Sequence, residues 1–393
     1  MTEYLLRHDP STCYGCRACE HICPKGAISM APDPEGFLYP VLREADCIRC
    51  GRCADVCPYD KTTPDLQPRQ TYAAQYKKRD ALRVSSSGGM FSAAADYILS
   101  RGGAVAGCVF DEGFTAVHVV SKAPDIIAKM RGSKYVQSDV GTVYPQIQRL
   151  LEAKTPVLFT GTPCQVDGLK RYLNKEYGSL FTVDLICHGV PSPALFKQYL
   201  ESLRQKSGTI SDIRFRDKPR NGWRSQGSVT AVRGGKAKTR SISPFNDSYY
   251  QYYYLRNCVS RQSCYTCKYS SSKRVGDITI GDYWNINEIK PELDVKDGFS
   301  AVLINSRQGQ RLFEAIRSEL NVFETDLSAA VAGNGNLSKP CDMPAARKNI
   351  YSRIREQGYD AVAAQDCRYS HVIPFLKRHT PKFIKKLLKK IKR

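Results

Sequence analysis

Two runs of cysteine carry the clearest chemistry in this sequence. Residues 13–24 read CYGCRACEHICP and residues 47–58 read CIRCGRCADVCP. Both follow C-x2-C-x2-C-x3-C-P, so the segment is an internal repeat. Thiolates three residues apart can wrap one face of an iron–sulfur cube. A [4Fe–4S] cube needs a fourth thiolate, which in two-cluster arrangements comes from the other repeat. The spacing therefore assigns Cys13, Cys16, Cys19 and Cys57 to one cluster, and Cys47, Cys50, Cys53 and Cys23 to a second. Pro24 and Pro58 end each run and turn the chain away. Gly15 and Gly51 lack a Cβ and let the backbone pass close to sulfide. Zinc also uses C-x2-C pairs, but it needs four ligands per ion and no trailing cysteine–proline. Two such clusters relay single electrons, which implies a two-electron site elsewhere in the chain.

The bulk composition agrees with this reading. The chain has sixteen cysteines in 393 residues, and the eight clustered between Cys13 and Cys57 read as metal ligands or disulfides. The start, MTEYLLRHDPSTC, lacks the basic end and apolar stretch of an export signal. Without export, regular spacing favours metal, and the expected compartment is a reducing cytoplasm. No stretch approaches the eighteen apolar residues of a membrane-spanning helix. The length predicts two or three domains.

The elements that must place a two-electron site follow a polar, Pro-rich stretch at 60–71, DKTTPDLQPRQT. AVAGCVF (104–110), AVHVV (116–120), PVLFT (156–160) and LFTVDLIC (180–187) read as strands. VYPQIQRLLEA (143–153), VDGLKRYLNK (166–175) and ALFKQYLESLRQK (194–206) read as amphipathic helices. IRFRD, SVTAVR and ITIGDYW suggest further strands. This alternation predicts an α/β core with a partly parallel sheet.

Three loops in that core stand out. SSSGGMFSAAADYIL, from Ser85, sets hydroxyls and glycines before a helix, which suits a phosphate; a plain helix cap is the alternative. In MRGSKYVQSD (130–139), Arg131 and Lys134 have the charge for a diphosphate and Tyr135 the ring to stack on a base, although a solvated turn is the simpler reading. FTGTPCQVDG (159–168) follows a predicted strand and opens a helix, where open α/β sheets bind ligands. It holds Cys164. Cys187 ends the next strand, and sequential strands usually neighbour each other. With Cys264 and Cys267 of SCYTCKY these cysteines suit a third cluster, with Cys258 as a substitute for one of them. Inert buried cysteine is the competing reading. Cys108, Cys341 and Cys367 read as structural.

These pieces, SSSGGMFSAAADYIL, RGSKYVQSD, GTPCQVDGLKRYL, DLICHGVPSP, SCYTCKY and ITIGDYW, cover residues 85 to about 305 in order. Together they resemble the family formed by the beta subunits of the deazaflavin (coenzyme F-420) reducing hydrogenases and dehydrogenases, which includes 7-hydroxymethyl chlorophyll a reductase. The resemblance implies FAD beside an iron–sulfur centre. It implies flavin contacts from Ser86, Ser87, Gly88, Gly89, Arg131, Gly132, Ser133, Lys134, Tyr135 and Gln137, and it strengthens the third cluster. It leaves the substrate open, with a link to cell-surface polysaccharide metabolism as a hint. His188, beside Cys187, reads first as a packed or ligand-supporting histidine and second as a proton donor.

The formal charge is +21, and residues 368–393 carry ten Lys or Arg and no acid. In PKFIKKLLKKIKR one helical face holds Phe383, Ile384, Leu387, Leu388 and Ile391, the pattern of an interfacial helix on anionic lipid. Nucleic acid is not expected as a partner. The resulting expectation is an α+β ferredoxin-like two-cluster domain (1–62), a linker (63–75), and an α/β flavin-binding core in two parts (76–155 and 156–325). An extension (326–380) and a basic amphipathic helix (381–393) follow. The expected function is a ferredoxin-linked, FAD-dependent oxidoreductase acting on a small organic substrate. Its redox partner would be a ferredoxin or dehydrogenase-type subunit, and its place the cytoplasm or the inner face of the membrane. The alternative is a non-enzymatic electron-transfer subunit.

Overall fold

The fold is described from a computed structural model, which covers residues 9–59, 61, 67–367 and 369. The basic tail at 381–393 and residues 63–66 of the expected linker lie outside the described residues.

The cysteine repeats sit on two short helices, Ala18–Ile22 and Arg52–Val56, and a hairpin separates them. Strands β1 (Ile28–Pro32) and β2 (Leu38–Leu42) pair antiparallel. Each repeat enters its helix through a left-handed residue, Arg17 at φ 63° and Gly51 at φ 77°. Glycine is the natural residue for that turn, and only the second repeat has it.

The core is an eight-stranded mixed sheet. In chain order its strands are β3 (Gln70–Tyr76), β4 (Ala104–Phe110), β5 (Ala116–Ser121), β6 (Val157–Gly161), β7 (Leu180–Leu185), β11 (Ile278–Asp282), β12 (Ser300–Ile304) and β13 (Leu320–Thr325). Their order across the sheet is β13-β3-β12-β11-β7-β6-β4-β5. The central four, β4, β6, β7 and β11, run parallel, and the flanks are antiparallel. A second sheet of β8 (Thr209–Arg214), β9 (Gly227–Arg233) and β10 (Lys236–Ile242) is an antiparallel meander. The apolar runs at 104–110 and 157–161 are buried on both faces, as parallel strands must be.

The expected boundaries shift in three places. Residues 70–75, expected in the linker, form most of β3, which is hydrogen-bonded on both sides by β12 and β13. The small residues Thr71, Ala73 and Ala74 of TYAAQY let it fit between them. The two expected parts of the core share one sheet, because β4 pairs with β6. The expected extension is structural in its described part: Ile350, Ile354 and Val362 are buried with Leu195, Tyr199 and Leu203 of helix Pro193–Ser207.

Candidate functional site

The N-terminal thiols converge as the repeat requires. Cys13, Cys16, Cys19 and Cys57 surround one void of about 20 Å³, and Cys23, Cys47, Cys50 and Cys53 another of about 30 Å³. Each quartet takes three thiols from one repeat and one from the other. The Gly15 and Ala27 amides donate to the Cys13 and Cys23 sulfurs, each at 3.3 Å. Such bonds stabilise negative charge on sulfur and tune a cluster's potential. In the first quartet Cys16 is buried against the core and the other three thiols are half-buried, whereas Cys50 of the second is exposed beside exposed Ile48.

A buried arginine joins this module to the core. Arg261 donates to the Cys13 carbonyl at 2.6 Å, to Leu38 O at 3.0 Å and to Gln137 Oε1 at 3.0 Å, and lies over the Tyr39 ring. Ser263 also donates to Cys13 O, at 2.9 Å. Gly168 on helix Pro163–Leu173 lets Cys16 approach, since a Cβ there would stand 3.1 Å from its sulfur.

One cavity of about 460 Å³ opens at the carboxyl ends of the parallel strands, the place open α/β sheets reserve for ligands. Cys164 reaches it from the first turn of the helix after β6, Cys187 from the loop after β7, and Cys264 and Cys267 from the turn around Gln262–Thr266. Burial, then the neighbouring thiols, pushes Cys164 up to about 12. Burial raises Cys187 to about 11, with Cys267 adding to the rise, and carries Cys264 well above its usual range. Thiolates crowded into so dry a place need cationic partners.

Local structure explains the convergence. β6 and β7 are neighbours in parallel register, Thr160 opposite Val183. Thr162 and Gln165 form a capping box that opens the helix carrying Cys164. The third arm is held by Arg274, whose Nη2 donates to Asp184 Oδ1 of β7 at 2.8 Å with both side chains fully buried. Arg274 also donates to Tyr269 O at 2.7 Å and Leu185 O at 3.0 Å. Cys258 lies elsewhere, fully buried in a different part of the core beside Cys367, and does not line the cavity. Cys341 and Cys108, read as structural, do line it.

The residues that the resemblance assigns to flavin line the same cavity, with Gly88 the exception. Gly88 is wedged against the sheet; a Cβ would fall 2.2 Å from Ala74 O, and its N–H donates to Ser300 Oγ. Three further side chains face the cavity but are already engaged. The Ser87 hydroxyl donates to Phe299 O at 2.8 Å. The Lys134 ammonium donates to the carbonyls of Lys129, Met130, Arg131 and Gly132, capping helix Pro124–Met130, so it is not a free diphosphate ligand. Gln137 is spent on Tyr14 O at 3.1 Å and on Arg261. One face of Tyr135 is stacked on Tyr253, 5.2 Å away. Ser86, Gly89, Arg131, Gly132 and Ser133 remain, and Ser86 Oγ accepts the Ser133 N–H at 2.9 Å, tying the two loops together. Gly89 is the left-handed residue before helix Met90–Ser100.

His188 and four residues not singled out from the sequence complete the cavity. Leu185, His188, Arg216, Asp282 and Trp284 line it together. Asp282 accepts from Arg216 at 2.7 Å and from Trp223 at 2.6 Å, and Trp223 stacks on Trp284. His188 opens onto the cavity rather than packing in the core; desolvation lowers its pKa, and Asp282 acts the other way. Asp282 and Trp284 belong to the ITIGDYW segment, but Arg216 comes from the far side of the sequence and no local signal marked it.

The family model described as coenzyme F420 hydrogenase/dehydrogenase, beta subunit, matches at residues 71–144 for its N-terminal part and 155–328 for its C-terminal part. A 4Fe-4S dicluster domain matches at 12–61. The chain belongs to this family. With the dicluster domain ahead of the family domains it is an iron–sulfur redox protein. Relatives include the coenzyme F420-dependent sulfite reductase of Methanocaldococcus jannaschii, 26% identical over 209 residues, covering 52% of this chain and 32% of that protein. The chain thus spans about a third of that relative. The F(420)H(2) dehydrogenase of Methanosarcina mazei has a subunit that is 22% identical over 346 residues, covering 81% of this chain and 86% of that protein. A chain of the F420-reducing [NiFe] hydrogenase complex from Methanosarcina barkeri aligns with a TM-score of 0.47 and 20% identity, over 75% of this chain and 95% of that one. Among the described residues no helix is long and apolar enough to cross a membrane.

Proposed function

We propose that the protein is an iron–sulfur flavoprotein oxidoreductase, holding two [4Fe–4S] clusters in its N-terminal module, and a third cluster and FAD in the core cavity. The observation that carries this reading is the shared cavity. Cys164, Cys187, Cys264 and Cys267 line the same space as the Ser86–Gly89 turn and the Arg131–Ser133 loop. Its volume, about 460 Å³, is in the range of cofactor sites. Ser86, Gly89 and the helix that starts at Met90 suit a phosphate. A buried, unpartnered ring nitrogen, His118 Nδ1, belongs to a residue lining the cavity. These features fit a flavin.

The clusters would supply one-electron transfer, and a flavin the exchange of single electrons for pairs. The chain does the arranging. The Cys23, Cys47, Cys50 and Cys53 quartet reaches the surface through Cys50, and would meet an external redox protein. The Cys13, Cys16, Cys19 and Cys57 quartet sits between it and the core, linked through Tyr14, whose ring packs 5.4 Å from that of Tyr269. Leu185, Trp284 and His188 line the cavity where an organic substrate would sit. His188 is placed to give or take a proton there, and Asp282 and Arg216 orient its surroundings.

The test is anaerobic purification with iron, sulfide and flavin measured on one sample. About twelve irons and one FAD per chain are expected. About eight irons with one FAD would remove the third cluster. About eight irons with no flavin, even after incubation with FAD, would replace the enzyme by an electron relay.

A further inference from the structure

We infer that His118 is a binding residue of the core cavity, a hydrogen-bond acceptor that requires an N–H or O–H donor on the molecule filling it. This rests on the flavin reading above and assigns one contact within it.

The argument begins with the tautomer. His118 lies on β5, directly opposite Cys108 of β4 in the antiparallel register. It is 6% exposed and lines the cavity. Its Nε2 is 3.2 Å from the carbonyl of Thr160. A carbonyl oxygen only accepts, so Nε2 carries the proton. In a neutral imidazole Nδ1 then holds a lone pair. The ring is neutral, because burial lowers its pKa to about 4, with Thr160 O opposing.

That lone pair is buried and has no partner. The nearby protein donors are committed. The Lys134 ammonium serves four backbone carbonyls, and the Cys108 thiol points to Val109 O at 3.7 Å. The side of the ring toward Phe159 is packed, with centroids 5.7 Å apart. A buried acceptor without a donor is costly. Water can serve it while the cavity is wet, but a ligand that displaces the water must bring its own donor. An anion would be rejected here, so the phosphate end of a nucleotide belongs with Ser86 and Arg131.

A flavin offers two donors of this kind, the imide N–H of its ring and the hydroxyls of its ribityl chain. The experiment uses full-length protein with clusters intact and flavin removed, titrated by fluorescence quenching with three probes: FAD, FAD methylated at the imide nitrogen, and FAD lacking a ribityl hydroxyl. With wild-type protein, about tenfold or more weaker binding is expected for the methylated probe if the ring N–H is the donor, or for the deoxy probe if a hydroxyl is. His118→Phe should weaken FAD by a similar factor and bind the sensitive probe no worse than FAD. Unchanged iron content and an unchanged circular-dichroism melt show that the variant is folded. Equal binding of all three probes by wild-type protein, or of FAD by wild-type protein and folded His118→Phe, overturns the role of His118 and leaves the flavin reading standing. Failure of wild-type protein to bind FAD overturns both.

Discussion

The N-terminal thiol quartets and the core quartet solve one problem in opposite ways. The first two take all eight thiols from two twelve-residue runs, and short helices with left-handed starts aim them. The third takes its thiols from three segments spread over about a hundred residues, aimed by a sheet register, a capping box and the Arg274–Asp184 ion pair. A local quartet depends on its own turn. A dispersed quartet depends on the whole domain and shares its walls with the other loops that line the cavity.

This contrast can be broken experimentally. The largest effect is expected at Arg274. Arg274→Met leaves Asp184 without its cation in the core, held only by the Val275 and Gly276 N–H groups, at a cost of about 3–5 kcal/mol. The loss should appear in denaturant unfolding, with cluster iron lost from the core and kept in the N-terminal module. Next, Cys267→Ser should lower iron from about twelve to about eight per chain; a full complement of iron in this variant would remove the third quartet from consideration. Gly168→Val sharpens the boundary between the regions. It crowds Cys16 at about 1–3 kcal/mol, and should alter the electron paramagnetic resonance signal of the first cluster while the core quartet keeps its own. The smallest effect is expected at Cys258. Cys258→Ser buries a hydroxyl at a cost of about 1–2 kcal/mol and should leave iron unchanged; a loss of four irons would return Cys258 to the ligand set.

The sequence was most informative where geometry is local. The C-x2-C-x2-C-x3-C-P spacing already implied the crossed quartets that surround the two small voids. Strand and helix periodicity located β4, β5, β6, β7 and the helices Val143–Glu152 and Pro163–Leu173 to within a few residues, but not the short helix Pro124–Met130. It was least informative where a side chain has two uses. Lys134 and Gln137 have the chemistry of ligands in MRGSKYVQSD, yet the chain spends one as a helix cap and the other as a brace to Tyr14. Residues 70–75 read as linker because small and polar residues hide a strand that is buried by its neighbours rather than by its own hydrophobicity.

By itself, then, the sequence determined the ligand spacing of the ferredoxin module, the α/β class of the core and the loops where its chemistry would gather. These follow from short-range geometry, in which a few residues set both the turn and the direction of a side chain. Only the tertiary structure decided that Cys164, Cys187, Cys264 and Cys267 line one cavity, that Cys258 does not, and that His118, Arg216 and Asp282 do. Those placements depend on strand order and on hydrogen bonds between residues some forty to a hundred and thirty positions apart. No local pattern in the chain records such pairings.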